Sequence, residues 1–159
     1  MTLVEVIEAE APHNPVIRNL LELYLHDFSE YDGGDVDDEG LYGYELLDRY
    51  WAESNRRPFL LRVDQKWAGF ALVRLGTPND IAEFCVLRKY RRRGVGTEFA
   101  RTLFHSFPGE WQVRQLASNR HATTFWRKVI PAAFVEETGE EGSIQRFTIS
   151  GEGHTADAP

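Results

Sequence analysis

The 159-residue chain predicts an α/β (α+β) fold, a mixed and mostly antiparallel sheet flanked by helices. Three observations carry that expectation. Apolar residues recur at helical spacing up to Trp51, the period shortens to that of strands from Phe59, and a strand, a glycine-bearing loop and an amphipathic helix run together from Ile81 to Phe107. Interleaved periods of this kind place helices on the faces of one sheet.

The length suits one domain, taken as 1–150, with a polar, proline-ended tail over 151–159 expected to be unstructured. An apolar share of 42% with 13% aromatic residues argues for a packed core, and a net charge of −7 opposes general nucleic-acid binding while favouring cationic substrates. Cys85 is the single cysteine, so no disulfide framework exists and a reducing, cytoplasmic setting follows. No apolar run is long enough to span a bilayer, and Met1 to Glu5 lacks the basic start of a secretion signal. The expectation is a cytoplasmic protein without membrane or nucleic-acid partners.

Taken in order, Leu3 to Ile7 reads as a short strand, and Ile17, Leu20, Leu21, Tyr24 and Phe28 form the stripe of a first helix that Asn14 and Pro15 open. Ser29 to Gly40 turns acidic and becomes an exposed loop. Its Asp35, Asp37, Glu39 and Gly40 imitate a calcium loop, but the closing position falls on Leu46 rather than glutamate. A second helix is expected through Leu41, Tyr44, Leu47 and Trp51, ending before Arg57 and Pro58. Phe59 to Val63 and Trp67 to Leu75 then make a hairpin across Asp64-Gln65-Lys66, and Ile81 to Leu87 makes a third strand. Beyond the glycine loop, Phe99, Ala100, Leu103, Phe104 and Phe107 line a helix that Pro108 and Gly109 stop. Trp111 to Leu116 is another strand, Asn119 to Ile130 another helix, and Phe134 to Thr138 with Ile144 to Ile149 a closing pair of strands.

The chemistry concentrates in Arg91-Arg92-Arg93-Gly94-Val95-Gly96. Glycines there let the backbone turn tightly, and amides at the head of a helix attract an anion, above all a phosphate. The alternatives are an exposed basic turn and a nucleic-acid patch, but the run is isolated in an acidic chain. Spacing narrows the ligand. A P-loop needs lysine before Ser or Thr where Gly96 precedes Thr97, and a dinucleotide fingerprint needs glycine where Phe99 stands. What remains is Arg or Gln, two residues, Gly, one residue, then Gly or Ala, met by Arg91, Gly94 and Gly96.

With that pattern the chain resembles the GNAT superfamily of acetyl-coenzyme A dependent N-acetyltransferases, of single-domain bacterial type. A second signature supports the resemblance: Asn119, Ala122, Phe125, Trp126 and Lys128 stand like the family's Asn-x-x-Ala-x-x-(aliphatic or aromatic)-Tyr-x-Lys run. The order of elements agrees from Leu3 to Ile149. Two departures stand out, Trp126 for the usual tyrosine and Ala133 for the glycine that opens the sixth strand.

The resemblance implies a sheet splayed at the cofactor strand and acetyl-coenzyme A as co-substrate, with no metal. It assigns the pyrophosphate to the amides of Arg92, Arg93, Gly94, Val95, Gly96 and Thr97, with Arg91 beside them, and the pantetheine side to Val86, Leu87 and Asn119, while Trp126 is expected to pack against the thiol arm or in the core. The adenosine end is assigned to Thr123, Arg127 and Lys128. The Val86 amide becomes the donor to the thioester carbonyl. Acceptor contacts are assigned to Tyr31, Asp32 and Asp35, because the family varies this connection.

Three residues are also read directly. Glu83 alternates with Ile81, Cys85 and Leu87, so its carboxylate lies on an apolar strand face, where it serves either as general base or as partner of an edge arginine. Asn119 is a natural helix cap, and Cys85 reads as packing. Trp126 cannot act as the family's acid because indole N–H has no useful acidity, so water, Ser118 or the ammonium formed on attack must protonate the leaving thiolate. His26, His105, His121 and His154 show no metal-ligand spacing. The expected activity is acetyl transfer to a primary amine, small-molecule or peptide, by direct attack. The alternative is a non-catalytic acyl-coenzyme A sensing module, and a homodimer paired through the closing strands is left open.

Overall fold

Strand β1 spans Val4–Glu8, β2 Arg56–Val63, β3 Lys66–Arg74 and β4 Asn79–Val86, with β5 at Gly109–Leu116, β6 at Phe134–Thr138 and β7 at Gly142–Ile149. Helices α1 (Asn14–Asp32), α2 (Arg49–Ala52), α3 (Val95–Ser106) and α4 (Arg120–Val129) flank them. The computed structural model describes residues 2–151, so most of the expected tail, with His154, lies outside the described residues. The hydrogen-bonded strand order is β1-β2-β3-β4-β5-β7-β6, mostly antiparallel as the strand patterns imply. The exception is β4 with β5, whose parallel register consists of Asn79 with Trp111 and Asp80 with Gln112.

By its contacts the chain forms two units, one of residues up to Arg74 with Ala82–Arg91, the other of Leu75–Ile81 with residues from Arg92 onward. In the first, the α1 stripe of Ile17, Leu20 and Leu21 packs with Leu47, Tyr50, Leu60, Phe70 and Leu72. Each fully buried aliphatic or aromatic side chain of this kind contributes about 1.5–3 kcal/mol. The β2–β3 turn places Asp64 and Gln65 at φ 48° and 67°, the double left-handed geometry whose twist matches a hairpin. Gly69 of β3 permits the approach of β4: a Cβ there would lie 2.1 Å from the Cys85 carbonyl oxygen.

Two expectations change in this unit. Helix α1 runs through Asp32 instead of stopping near Phe28, because Tyr31 continues its aromatic ridge, edge-on to Phe28 at 6.2 Å. The second helix does not begin at Leu41. Gly43 sits at a left-handed φ of 73°, which a right-handed helix cannot pass through, and the Glu22 carboxylate of α1 holds that bend by accepting the amides of Tyr42 and Gly43, both at 2.8 Å, so in this stretch only Arg49–Ala52 is α-helical. The apolar stripe survives without the helix, with Leu47 and Tyr50 buried.

In the second unit, Phe104 of α3 meets Trp111 of β5 and Phe147 of β7 edge-on, each at 5.0 Å. Strand β7 pairs β5 over eight residues and β6 over five. Between β5 and β7, Gln115 and Gln145 exchange reciprocal amide bonds at 2.7 and 3.0 Å, so two buried polar side chains satisfy each other. Gln145 also donates to Glu136 at 2.7 Å.

Candidate active site

The candidate residues of the first unit gather along β4 and just after it. Strand alternation turns Glu83 toward α1 and the connection that follows it, where Tyr24 donates its hydroxyl to Oε1 and Tyr44 to Oε2, both at 2.9 Å. Tyr24 belongs to α1 and is held by stacking on Phe28 (5.7 Å) and an edge contact with Phe70 (5.6 Å). Burial, followed by the Glu83 charge, pushes both phenols above their ordinary value of 10, so they remain protonated donors. Burial likewise pushes the Cys85 thiol up to about 12, which suits packing rather than nucleophilic work.

Sequence reasoning singles out Glu83 but not its two tyrosines. Tyr24 and Tyr44 each read as one position of a helical stripe, and no local pattern joins residues 59 and 39 positions apart.

Four residues beyond Glu83, the Leu87 amide donates to the Ala68 carbonyl of β3 at 2.8 Å. Because successive peptide groups of a strand face opposite edges, the Val86 N–H and C=O point away from β3. The Val86 carbonyl accepts Arg91 Nε there, at 2.8 Å. The other end of that guanidinium reaches Asp27 at 3.3 Å, and Arg88 shares the same carboxylate at 2.6 Å. Arg91 is therefore bound to its own strand and to α1. Tyr31 and Asp32 close α1, where Asp32 accepts the Gly34 amide at 2.9 Å, and Asp35 follows in the exposed connection.

In the second unit the loop has the form of an anion cradle. Arg92 at φ 64° and Gly94 at φ 78° are both left-handed, the alternation that turns successive amides inward. Gly94 is the N-cap of α3 and offers no side-chain acceptor to the amides behind it. The first helical bond runs from Glu98 N–H to the Gly94 carbonyl at 3.1 Å, so Val95, Gly96 and Thr97 stand ahead of it with donors directed out of the helix end. A Cβ on Gly94 would meet nothing within 4 Å, so there is room over the turn for a bulky anion. These features fit a pyrophosphate. A groove of about 640 Å³ continues from Gly94 and Thr97 along α3 to His105 and Ser106.

Asn119 caps α4, accepting the Ala122 amide at 3.1 Å, and Ser118 is exposed in the turn before it. Trp126 is buried, its ring 5.0 Å from that of Phe125 and 6.1 Å from that of Phe104. Of the residues assigned to adenosine, Thr123 bonds back to the Asn119 carbonyl, while both guanidinium contacts of Arg127 go to Glu136 at 2.8 Å. Among the described residues no group of three His, Cys, Asp or Glu could hold a metal ion, and no helix is long and apolar enough to cross a membrane.

The family model described as the acetyltransferase (GNAT) family matches residues 17–130. Among solved structures, an acetyltransferase from Thermus thermophilus is similar with a TM-score of 0.71 at 16% identity, over 92% of this chain and 97% of that one. The ribosomal-protein-S18-alanine N-acetyltransferase of Escherichia coli follows with 0.67 at 16%, over 93% and 95%. The spermidine N-acetyltransferase of Vibrio cholerae, solved with coenzyme A and spermine, gives 0.62 at 16%, over 90% and 92%. No match is found among curated proteins.

Proposed function

Since the chain belongs to the GNAT acetyltransferase family, we propose that it moves an acetyl group from acetyl-coenzyme A to a primary amine by direct attack, as a single domain over 1–150. The observation that carries this reading is the left-handed pair Arg92 and Gly94 heading a helix without a side-chain cap. Arg92 to Thr97 would hold the pyrophosphate through their amides, and Leu87 and Asn119 would border the thiol arm. Acetyl-coenzyme A supplies the activated thioester.

The chain's own residues handle charge and protons. The Val86 N–H, turned away from β3, is the donor for the thioester carbonyl oxygen. Glu83 takes a proton from the substrate ammonium, freeing the nitrogen lone pair. The N–C bond then forms as the C–S bond breaks, and the departing sulfur takes the surplus proton of the newly bonded nitrogen, directly or relayed through the Ser118 hydroxyl, which gives up its proton and regains one from that nitrogen. Trp126 packs the core and carries no proton.

An amine acceptor suits the net charge of −7 and the acidic connection bearing Asp32 and Asp35. The single, buried cysteine supports a cytoplasmic setting.

The test is thermal shift with acetyl-coenzyme A, followed by thiol release with polyamines, amino acids, aminoglycosides and peptide N-termini. A ligand at a hundred times its Kd stabilises by about 2.7 kcal/mol, so binding is easily read. Absence of any shift at millimolar coenzyme overturns the reading. A shift without turnover on any amine favours a sensing module.

A further inference from the structure

Glu83 lies in an environment its reading as a base does not by itself explain. Each carboxylate oxygen accepts one phenol, Tyr24 from α1 and Tyr44 from the connection between α1 and α2. We propose that Tyr24 and Tyr44 are positioning residues that hold the Glu83 carboxylate ionised and fixed in orientation for the incoming amine. The inference rests on the reading of Glu83 as base.

Both phenols are anchored. Tyr24 is wedged between Phe28 and Phe70, and the backbone before Tyr44 is tied to α1 by the Glu22 carboxylate. Each phenol donates along one lone-pair direction of the oxygen it meets, so the pair together sets the plane of the carboxylate. Tyr50 of α2, Arg74 of β3 and Cys85 of β4 also act on this cluster. Burial is the main cause that raises the Tyr50 phenol, with the Glu83 charge the least of those acting on it, and its hydroxyl makes no bond to Glu83. Cys85 stays a neutral thiol. Removing either phenol takes away one donor that holds the Glu83 carboxylate, leaving the group freer to rotate and slower to release a proton.

The test compares Tyr24→Phe, Tyr44→Phe and Glu83→Gln with Tyr42→Phe, whose hydroxyl binds Ser29 instead. A hydrogen bond to a charged group is worth about 1.5–3 kcal/mol, so each of the first two variants should lower kcat/KM about tenfold or more at neutral pH. They should also move the acidic limb of the pH profile to higher pH and leave acetyl-coenzyme A affinity unchanged. In a Glu83→Gln background they should add little, and Tyr42→Phe should behave as wild type. A wild-type pH profile in both Tyr24→Phe and Tyr44→Phe, with Glu83→Gln inactive, overturns the inference while the base reading stands. A fully active Glu83→Gln removes the base reading and the inference with it. Carbon-13 titration of the Glu83 carboxyl needs no turnover: a midpoint higher in the two variants supports the inference, and identical midpoints overturn it.

Discussion

The two ends of the proposed chemistry are built differently. The cradle at the head of α3 is made of backbone, with two left-handed residues, a glycine cap and amides ahead of the first helical bond. The Glu83 cluster is made of side chains brought from α1, from the connection after it and from β4. A backbone site tolerates changes of side chain and fails when φ is lost. A side-chain site fails when one functional group is lost, even though the fold remains.

The largest expected effect tests the side-chain end. Glu83→Gln keeps the shape and removes the base, so kcat/KM should fall by about 10²- to 10⁴-fold while acetyl-coenzyme A still raises the Tm. Steady-state kinetics beside thermal shift separate the two. If both are lost together, the ends are not independent and the contrast breaks.

The converse is Gly94→Val. A β-branched residue at φ 78° is strained by about 1–3 kcal/mol, so coenzyme affinity should fall roughly tenfold or more, whereas kcat at saturating coenzyme should change little. Calorimetric Kd and kcat report the two terms. Open space around the Gly94 Cβ position makes backbone conformation, not collision within the chain, the cause.

Arg91→Ala should cost less. Its guanidinium bonds to the Val86 carbonyl and to Asp27 with the side chain 46% exposed, so solvent screening limits the loss to about 1 kcal/mol or below, a few-fold in kcat/KM. A loss as large as that of Gly94→Val would mean that the guanidinium itself holds phosphate, and the cradle would then be partly a side-chain site.

The smallest effect is on stability. Arg127 and then Gln145 hold Glu136 down to about 2 from an ordinary 4.5. A carboxylate depressed in the folded state contributes stability that is present above pH 4.5 and lost as pH falls toward 2. Glu136→Gln should flatten that part of the Tm-against-pH curve, which differential scanning calorimetry would check.

The same contrast explains what is legible in the sequence. The strand Phe134 to Thr138 is legible at both ends, and most other strands to within two or three residues, because alternation and turn residues act locally. The cradle is legible through Gly94, since a left-handed turn leaves a mark on residue identity. Helix two is not legible beyond its last turn. The Leu41, Tyr44, Leu47 and Trp51 spacing is helical, but the chain turns left-handed at Gly43, in a bend that Glu22, twenty residues upstream, holds by accepting the Tyr42 amide.

The sequence by itself determined the order of helices and strands, the glycine turn at the head of α3 and the family, because these rest on period, glycine position and short-range spacing. Tertiary structure alone decided the phenols on Glu83, the fastening of Arg91 to Val86 and the need for Gly69 beside Cys85. These depend on which distant segments become neighbours, and a contact between residues dozens of positions apart imposes no period on the chain between them.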